Sequence, residues 1–402
     1  MELRRQVESE AAAAKDAVPR LTDDAVAAAI GEASRLVRER RAHLLEANRA
    51  DVASAAGLGP GTLDRLRLDE ARVDGLSGQL SVMASAPPLD REASSWTLDN
   101  GLRVEERRIP IGVVGANFEA RPGVALDVAS QLLKSLNGGV LRTGGAALRT
   151  VTFLVDGVLR PALESAGLPV GAVGLVRSPD REGARVLVSL PRLVPLVVLR
   201  GSGETTAELA RLAAQHGVRT LAHAEGGGVL YVHSQASREK ALAVAEASLD
   251  RLGVCNRLNV LLLDRGLGDL AAELLDLLAR RGIAVRDELG QEWANDPNPS
   301  QVTICYLASV EEALRVANEE TSGLAAGIVT EDEAAARAFL DGYRGTAGFW
   351  NATTRFTDGF ALTGAPETGI NVDGVPGPRG PVTYRDLWLR QYRVLGDGTQ
   401  SR

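Results

Sequence analysis

The sequence is poor in the residues that usually build metal centres and disulfide frameworks. Its 402 residues include two cysteines, Cys255 and Cys305, and four histidines. Two cysteines cannot form a disulfide framework, and the histidines show no metal-ligand spacing with them. We therefore expect reduced thiols and no bound metal.

Long apolar runs and basic clusters are also missing. No run reaches the roughly 18 apolar residues of a membrane-spanning helix, and the opening MELRRQVESEAAAAKDAVPR lacks the apolar core of a signal peptide. The formal net charge is −7, and no basic run is interleaved with aromatic residues. These absences argue against a nucleic-acid binder and a membrane protein, and lead us to expect a cytoplasmic protein.

The composition is that of an ordinary globular protein, 45% hydrophobic and 24% charged, and the length allows two domains. Residues 1 to about 85 show helical spacing. From Ile111 onward, strand-like segments alternate with helical ones, including a helix at 146–166 that Pro161 is expected to kink. This alternation predicts an α/β fold with two doubly wound units. The glycine- and proline-rich end, 371–398, is interpreted as a flap or arm rather than a core element.

A lone cysteine stands at the entrance of an apolar segment, LGVCNRLNVLLL at 252–263. Cys255 is a candidate nucleophile, because backbone N–H groups of a turn can lower the pKa of a thiol and later hold an oxyanion. A small buried hydrophobe would give the same local sequence, and spacing alone slightly favours that alternative. Cys305, flanked by apolar residues in VTICYL, is interpreted as structural.

Two loops rich in small residues follow predicted strands. RGSGET, at 200–205, would expose N–H groups at a helix start, where a pyrophosphate can bind, although a simple capped turn is an equal alternative. In LRTGG, Arg142 can reach ribose or phosphate oxygens, or it is a solvated charge.

Arg121 and Glu225 lie near the ends of predicted strands and are further candidate site residues. Arg121 follows the strand IGVVGA at the expected carboxyl edge of the sheet, where it can bind an anionic group or pair with Glu119. Glu225, in HAEGGGVLYV, is a candidate general base or a solvated turn residue.

Several segments in a fixed order carry a more specific pattern. They are IPIGVVGANFEARPGVALDVASQLLKSLNGGVLRTGG, LRGSGETTAEL, HAEGGGVLYV, VCNRLNVLLL, ATTRFTDG and the triplet RGP at 379–381. Together they resemble the γ-glutamyl phosphate reductases, or glutamate-5-semialdehyde dehydrogenases, of the aldehyde dehydrogenase superfamily. The resemblance extends from Ile109 to Gly396.

This resemblance implies an aldehyde dehydrogenase-like fold with two Rossmann-like domains and a β-arm for oligomerisation. We expect an NADP-binding domain at 1–225, with a helical start and with 98–110 contributing to the arm. A catalytic domain is expected at 226–372 and a C-terminal oligomerisation arm at 373–402. A homodimer or homotetramer would follow from such arms.

The implied reaction is the NADPH-dependent reduction of γ-glutamyl phosphate to glutamate 5-semialdehyde, as in proline biosynthesis. Cys255 matches the nucleophile that forms a thioester, and Asn256 with the Cys255 backbone N–H matches the oxyanion donors. Expected cofactor contacts are Arg142, Gly144, Gly201, Ser202, Gly203 and Glu204. Expected substrate contacts are Glu119, Arg121, Asn351, Thr354, Arg355 and Arg379. NADH remains an alternative cofactor, and a kinase that supplies the acyl phosphate is an implied partner.

Several positions depart from the family's usual residues. Gly123 replaces Asn, Leu136 replaces Gly, LRGS at 199–202 replaces PRGG, Arg257 replaces Thr, Gly228 and Val229 replace Cys-His, Gly377 and Pro378 replace His-Ala, and TGAPETG around Glu367 replaces FGLGAE. A paralogue that reduces another acyl phosphate or activated carboxylate therefore stays open. A hydrolytic aldehyde dehydrogenase using Glu225 and a non-catalytic relative are further alternatives, although the intact Cys255–Asn256 pair argues against the last.

Overall fold

In the computed structural model, which describes residues 2–55, 57–201, 203–223, 226–252, 254–290, 300–372 and 377–400, the chain begins with helices. They are α1 (Glu2–Ala17), α2 (Asp23–Glu39), α3 (Arg41–Ser54), α4 (Pro60–Leu66) and α5 (Glu70–Ser85). The side chains of Thr22 and Asp69 cap α2 and α5 by accepting backbone N–H groups of the first turns. The predicted helical start is confirmed.

A hairpin and a parallel sheet follow. Strands β1 (Glu92–Thr97) and β2 (Arg103–Pro110) pair antiparallel. The parallel sheet contains β3 (Val113–Phe118), β4 (Gly138–Thr143), β5 (Val173–Leu175), β6 (Leu196–Arg200) and β7 (Arg219–His223), in the order β5-β4-β3-β6-β7. Because the chain moves outward from β3 in both directions, the strand order reverses between β3 and β6.

The helices of this unit are α6 (Val124–Lys134), α7 (Leu148–Leu154), α8 (Arg160–Ser165), α9 (Glu182–Leu187) and α10 (Gly203–His216). The helix predicted at 146–166 is interrupted: residues 155–159 form a π-helical turn between α7 and α8. Pro161 follows this turn, and the Gly157 carbonyl, which lacks the helical donor that proline cannot supply, accepts the Arg40 guanidinium at 2.7 Å.

The second parallel sheet contains β8 (Gly228–Val232), β9 (Leu258–Asp264), β10 (Ala284–Arg286), β11 (Gln301–Leu307), β12 (Ala325–Val329) and β13 (Ala347–Trp350). Its order is β10-β11-β9-β8-β12-β13, and its helices are α11 (Arg238–Ala247), α12 (Asp269–Arg280), α13 (Val310–Glu319) and α14 (Glu333–Gly342). The predicted alternation is confirmed. The short edge strand β10 was missed, because its residues AVR are partly or fully exposed and form no apolar run.

The chain ends with α15 (Gly359–Thr363), β14 (Gly369–Asn371), β15 (Gly380–Val382) and β16 (Trp388–Leu395). Strand β16 pairs antiparallel with β2 from Trp388, opposite Pro110, to Leu395, opposite Arg103. The arm sheet, as we call strands β1, β2 and β16, therefore joins two segments that are distant in sequence.

The expectation that the whole C-terminal segment lies outside the core is wrong. Val382, Tyr384 and Leu387 are at most 1% exposed and belong to the core of the first unit. The Tyr384 hydroxyl donates to the carbonyl of Pro87 at 2.9 Å, and its backbone N–H donates to the Gln131 side chain. Single apolar residues between glycines and prolines show no periodicity, so the sequence pattern could not predict their burial.

The two sheets face each other through the ends of their strands. A cavity is lined by Arg121 and Arg200, which lie at the carboxyl ends of β3 and β6, and by Val254, which precedes β9. The carboxyl edge of the first sheet therefore faces the amino edge of the second. None of the described helices is long and apolar enough to cross a membrane.

We expect Gly138→Ala to lower the free energy of unfolding by about 1–3 kcal/mol, because a Cβ at Gly138 would lie 2.6 Å from the carbonyl oxygen of Ala14 in α1. Chemical denaturation measures the change. Gly78→Ala is the matched control, since a Cβ at Gly78 would meet no neighbouring atom within 4 Å and alanine favours a helix. Equal stabilities of the two variants would contradict this packing of α1 on β4.

Candidate functional site

The predicted nucleophile lies in a turn at the amino end of β9. Cys255 is partly exposed, and its carbonyl oxygen accepts the backbone N–H of Gly227 at 2.5 Å. A Cβ on Gly226 would lie 2.6 Å from the Cβ of Cys255, and Gly227 has a φ of +102°. The two glycines before β8 therefore let the backbone pass close to the cysteine turn, which residues with larger side chains would prevent.

Asn256 holds a neighbouring segment through its side-chain amide. The Asn256 side chain donates to the carbonyls of Arg355 and Thr357, both at 3.0 Å, and is 5% exposed. In return, the Thr354 hydroxyl donates to the Asn256 carbonyl at 2.9 Å. The amide that was expected to donate to an oxyanion thus donates to backbone carbonyls here. We call this set of contacts, between Asn256 and residues 354–357, the amide clasp.

Other expected substrate residues also bind protein groups. Arg355 donates to the Asp250 carboxylate at 2.6 Å and to the Asn256 side chain. The Asn351 side chain donates to the Thr330 carbonyl and accepts the Thr330 N–H, both at 3.0 Å. Arg379 is exposed and donates to the backbone carbonyls of residues 344 and 372. Of the expected substrate residues, only Arg121 belongs to the described lining of the cavity that reaches Val254, and Glu119, Asn351, Thr354, Arg355 and Arg379 lie outside that lining.

That cavity, which we call the arginine cavity, has a volume of about 550 Å³ and opens beside the cysteine turn at Val254. Its described walls combine basic and acidic side chains: Arg65, Arg67, Arg72, Arg121, Arg200, Arg251, Asp127, Asp358 and Glu367. Of these, sequence analysis singled out only Arg121 as a substrate contact. The volume and the charges of both signs suit a small metabolite that carries both anionic and cationic groups.

Part of the cavity wall comes from the N-terminal helices. Asp64 of α4 pairs with Arg72 at 2.6 Å and with Arg251, which follows α11, at 2.9 Å. The Asp64–Arg251 pair connects the helical start of the chain to the unit that carries Cys255, whereas the Asp64–Arg72 pair joins α4 to α5.

The pKa of Arg121 depends both on its surroundings in the cavity and on the charge of Cys255. Burial, followed by the charge of Arg200, lowers the pKa of Arg121 to about 10, whereas a thiolate at Cys255 acts in the opposite direction. The attraction between guanidinium and thiolate is mutual, so a charged Arg121 favours the nucleophilic form of the sulfur.

The acidic side chains of the cavity differ in their partners. Glu367 accepts the Gly359 N–H at 2.9 Å and pairs with Arg200 at 3.3 Å. Asp358 caps α15 by accepting backbone N–H groups. For the Asp127 carboxyl, by contrast, the described residues provide no hydrogen-bond donor. Its only sequence signal is a charge within the apolar VALDVASQLL.

Burial is the main cause that raises the pKa of Asp127 to about 7, and the nearby Glu367 and Asp358 carboxylates add to the shift. Arg200 acts in the opposite direction. Asp127 therefore changes its charge near neutral pH, unlike an ordinary aspartate.

Arg257, one of the departures from the family's usual residues, is almost completely buried. It is 2% exposed, and within the described part of the chain its Nε and Nη1 atoms have no hydrogen-bond partner. Burial lowers its pKa, while Asp250 raises it. Arg257 does not line the arginine cavity, so its difference from the family's usual threonine does not alter the described cavity wall directly.

The expected cofactor residues lie at the carboxyl edge of the first sheet. Arg142, at the end of β4, is 5% exposed and donates to Asn117 at 3.1 Å and to the Asp180 carbonyl at 3.1 Å. Gly144 follows the same strand, and Gly203 and Glu204 form the first turn of α10. Ser202 and Glu225 lie outside the described residues.

The point where strand order reverses fits a dinucleotide. A Cβ on Gly201 would lie 3.1 Å from a carboxylate oxygen of Glu119, so these residues from β3 and β6 are adjacent at the crevice. The buried Nε of Arg142 has no partner among the described groups, and α10 directs its N-terminus towards the same edge. No group of three or more potential metal-ligating side chains is found in the described segments.

Comparisons with known proteins agree with the resemblance seen in the sequence. No protein-family model matches the chain. The chain is 33% identical over 390 residues to a γ-glutamyl phosphate reductase of Rhodospirillum rubrum, covering 92% of this chain and 90% of that protein. The solved γ-glutamyl phosphate reductase of Thermotoga maritima is 26% identical with a TM-score of 0.90, covering 99% of this chain and 100% of the other.

The fold extends to more distant proteins. An acetylating aldehyde dehydrogenase of Geobacillus thermoglucosidasius has a TM-score of 0.74 at 15% identity, covering 100% of this chain and 98% of the other. The expected aldehyde dehydrogenase-like fold is confirmed.

We expect Asn256→Ala to lower both stability and turnover, because it removes the amide clasp and leaves buried carbonyls at residues 355 and 357 without donors. The loss of stability should be roughly 2–4 kcal/mol, from two lost hydrogen bonds and the desolvated oxygens. Thermal unfolding and turnover are measured together. A fall in turnover with unchanged stability would instead indicate that the amide acts directly on an oxyanion.

Proposed function

Since the chain belongs to the γ-glutamyl phosphate reductase family, we propose that it reduces γ-glutamyl phosphate to glutamate 5-semialdehyde and inorganic phosphate, with NADPH as the hydride donor. The observation that carries this proposal is the arginine cavity, whose described lining reaches Val254, the residue before Cys255. An acyl phosphate of glutamate carries a phosphate, a carboxylate and an ammonium group, and the cavity offers charges opposite to each. The chain is an oxidoreductase of the aldehyde dehydrogenase superfamily.

The reaction begins at Cys255. Its thiolate attacks the acyl carbon, and the tetrahedral intermediate expels inorganic phosphate to leave a thioester on the sulfur. Backbone N–H groups of the cysteine turn hold the developing oxyanion, while the amide clasp keeps that turn in place. Arg121, which is close enough to interact with the thiolate, and Arg200 bind the anionic groups of the substrate.

The second half of the reaction releases the aldehyde. A dinucleotide held in the crevice would supply the hydride that reduces the thioester carbon. Cys255 then leaves as a thiolate while the oxyanion becomes the aldehyde carbonyl, so no external proton is needed for this step. Thiolates are good leaving groups as well as good nucleophiles, which suits one residue to both halves.

We assign the dinucleotide to the crevice where strand order reverses. Arg142, Gly144, Gly201, Ser202, Gly203 and Glu204 are the residues proposed to hold it. The start of α10 receives its phosphate groups, because backbone N–H groups and the helix dipole favour anions there.

The arm sheet supports a further part of the proposal. Trp96, Leu389 and Tyr392 on this sheet are 41%, 50% and 52% exposed, and such apolar side chains favour pairing with another subunit. We propose a homodimer or homotetramer working in the cytoplasm, with domains at 1–225 and 226–372 and with the arm sheet, rather than the whole segment 373–402, as the arm for oligomerisation. A kinase that makes the acyl phosphate would supply the substrate.

Cys255→Ala is expected to abolish turnover while leaving NADPH affinity near normal, because the variant removes the acyl carrier and not the cofactor crevice. Steady-state reduction and NADPH fluorescence titration measure the two properties. Cys305→Ala is the matched control, because it changes the second cysteine of the chain, which lies on β11, and it should retain activity. Turnover by Cys255→Ala at the wild-type rate would contradict the thioester mechanism.

The reverse reaction tests the substrate and the leaving group. With glutamate 5-semialdehyde and NADP⁺, we expect NADPH to form beyond about one equivalent per Cys255 only when inorganic phosphate is present, because phosphate must attack the thioester to free the sulfur for another turnover. A panel of other aldehydes, each with and without phosphate, determines the acyl group. Continued NADPH formation over many turnovers without phosphate would instead favour a hydrolytic aldehyde dehydrogenase.

A further inference from the structure

Asp127 stands apart from the other acidic groups of the arginine cavity. It lies in the first turn of α6, and its carboxyl lines the cavity. Glu367 and Asp358 accept backbone N–H groups that hold α15 and its surroundings, so their oxygens already have structural roles. The Asp127 carboxyl has no such donor among the described groups and is therefore available to a bound molecule.

The surroundings of Asp127 favour a cationic ligand. The charged groups that face it are Glu367 and Asp358, from the segments around α15, and Arg200, from the end of β6. The two neighbouring carboxylates and the partly desolvated position make an additional negative charge unfavourable, and Arg200 already pairs with Glu367. A cation placed beside Asp127 would relieve that repulsion and stabilise the carboxylate form.

The substrate proposed above has a group with the required charge. Its phosphate and α-carboxylate suit the six guanidinium groups in the described lining of the cavity. Its α-ammonium group needs an anionic acceptor, and the Asp127 carboxyl is the one without a structural hydrogen bond in the described lining. We propose that Asp127 binds the α-ammonium group and thereby selects an amino-acid acyl phosphate over the corresponding compound without the amino group. This inference rests on the proposed function.

The test compares two aldehydes in the phosphate-dependent reverse reaction. One is glutamate 5-semialdehyde, and the other is 5-oxopentanoate, which has the same aldehyde and carboxylate but no amino group. For Asp127→Asn, kcat/KM should fall roughly 10- to 100-fold with glutamate 5-semialdehyde, the range expected for losing a charged hydrogen bond. The change should appear mainly in KM, and kcat/KM with 5-oxopentanoate should stay within about threefold of wild type.

Asp269→Asn is the matched control. Asp269 is also the acidic residue in the first turn of a helix, α12, but it is exposed and is not part of the described cavity lining. The substitution changes helix-terminal charge in the same way, so it should leave kcat/KM for both aldehydes unchanged.

A pH series provides a readout that a purely structural role would not move. The wild-type advantage over Asp127→Asn with glutamate 5-semialdehyde should grow as the pH rises through about 7, where Asp127 loses its proton. Comparing the two proteins at each pH cancels the titration of the substrate itself. With 5-oxopentanoate, the ratio of the wild-type kcat/KM to that of Asp127→Asn should not rise with pH.

The outcomes separate the two levels of the proposal. If the wild-type enzyme does not act on glutamate 5-semialdehyde with phosphate, the proposed function fails and this inference fails with it. If the wild-type enzyme is active but Asp127→Asn loses equal activity towards both aldehydes, only the role of Asp127 is overturned. A selective loss with glutamate 5-semialdehyde supports it.

Discussion

The site depends on how the cysteine turn is fixed by segments that are far away in sequence. Asn256 donates to the carbonyls of residues 355 and 357, and Thr354 donates back to the Asn256 carbonyl. Gly227 closes the other side through its hydrogen bond to the Cys255 carbonyl. The backbone at the nucleophile is thus held on both sides, which leaves the sulfur as the group able to change its bonding. Such fixed geometry is what repeated attack and departure by one thiolate require.

The arginine cavity carries charges of both signs because the first sheet and the segment around α15 line it together. The segment after β3 supplies Arg121, the end of β6 supplies Arg200, and the segment around α15 supplies Asp358 and Glu367. Guanidinium groups alone would select any polyanion. The acidic wall adds a second requirement, because a ligand must place positive charge where the carboxyl groups are. Recognition in this cavity is therefore a matter of charge pattern as well as net charge.

Much of the fold could be predicted from the sequence, since buried strands and amphipathic helices repeat with clear periods. The three-residue β10 and the buried Tyr384 could not, because neither belongs to a periodic segment. Within the site, the cysteine turn and the small-residue loops have local signatures. The partners of the Asn256 amide have none, because the carbonyls that it binds lie about a hundred positions further along.

The arginine cavity illustrates the same limit more strongly. Arg65, Asp127, Arg251 and Glu367 come from four separate segments, and only tertiary folding makes them neighbours. A charge in the first turn of a helix, such as Asp127, has a common local explanation in the helix dipole. A carboxylate that is free to bind a ligand differs from such a charge because no hydrogen-bond donor of the protein lies close to it. The sequence alone does not show which donors lie close to a side chain.

The ion pairs of Asp64 give one wall of the cavity a distinct physical character. Asp64 and Arg251 are 48% and 49% exposed, so dissolved ions screen their attraction far more than they screen a buried pair. The attachment of α4 through this pair is therefore expected to weaken as the ionic strength rises. The salt dependence of substrate affinity will consequently report the attachment of the N-terminal helices together with the charge of the substrate.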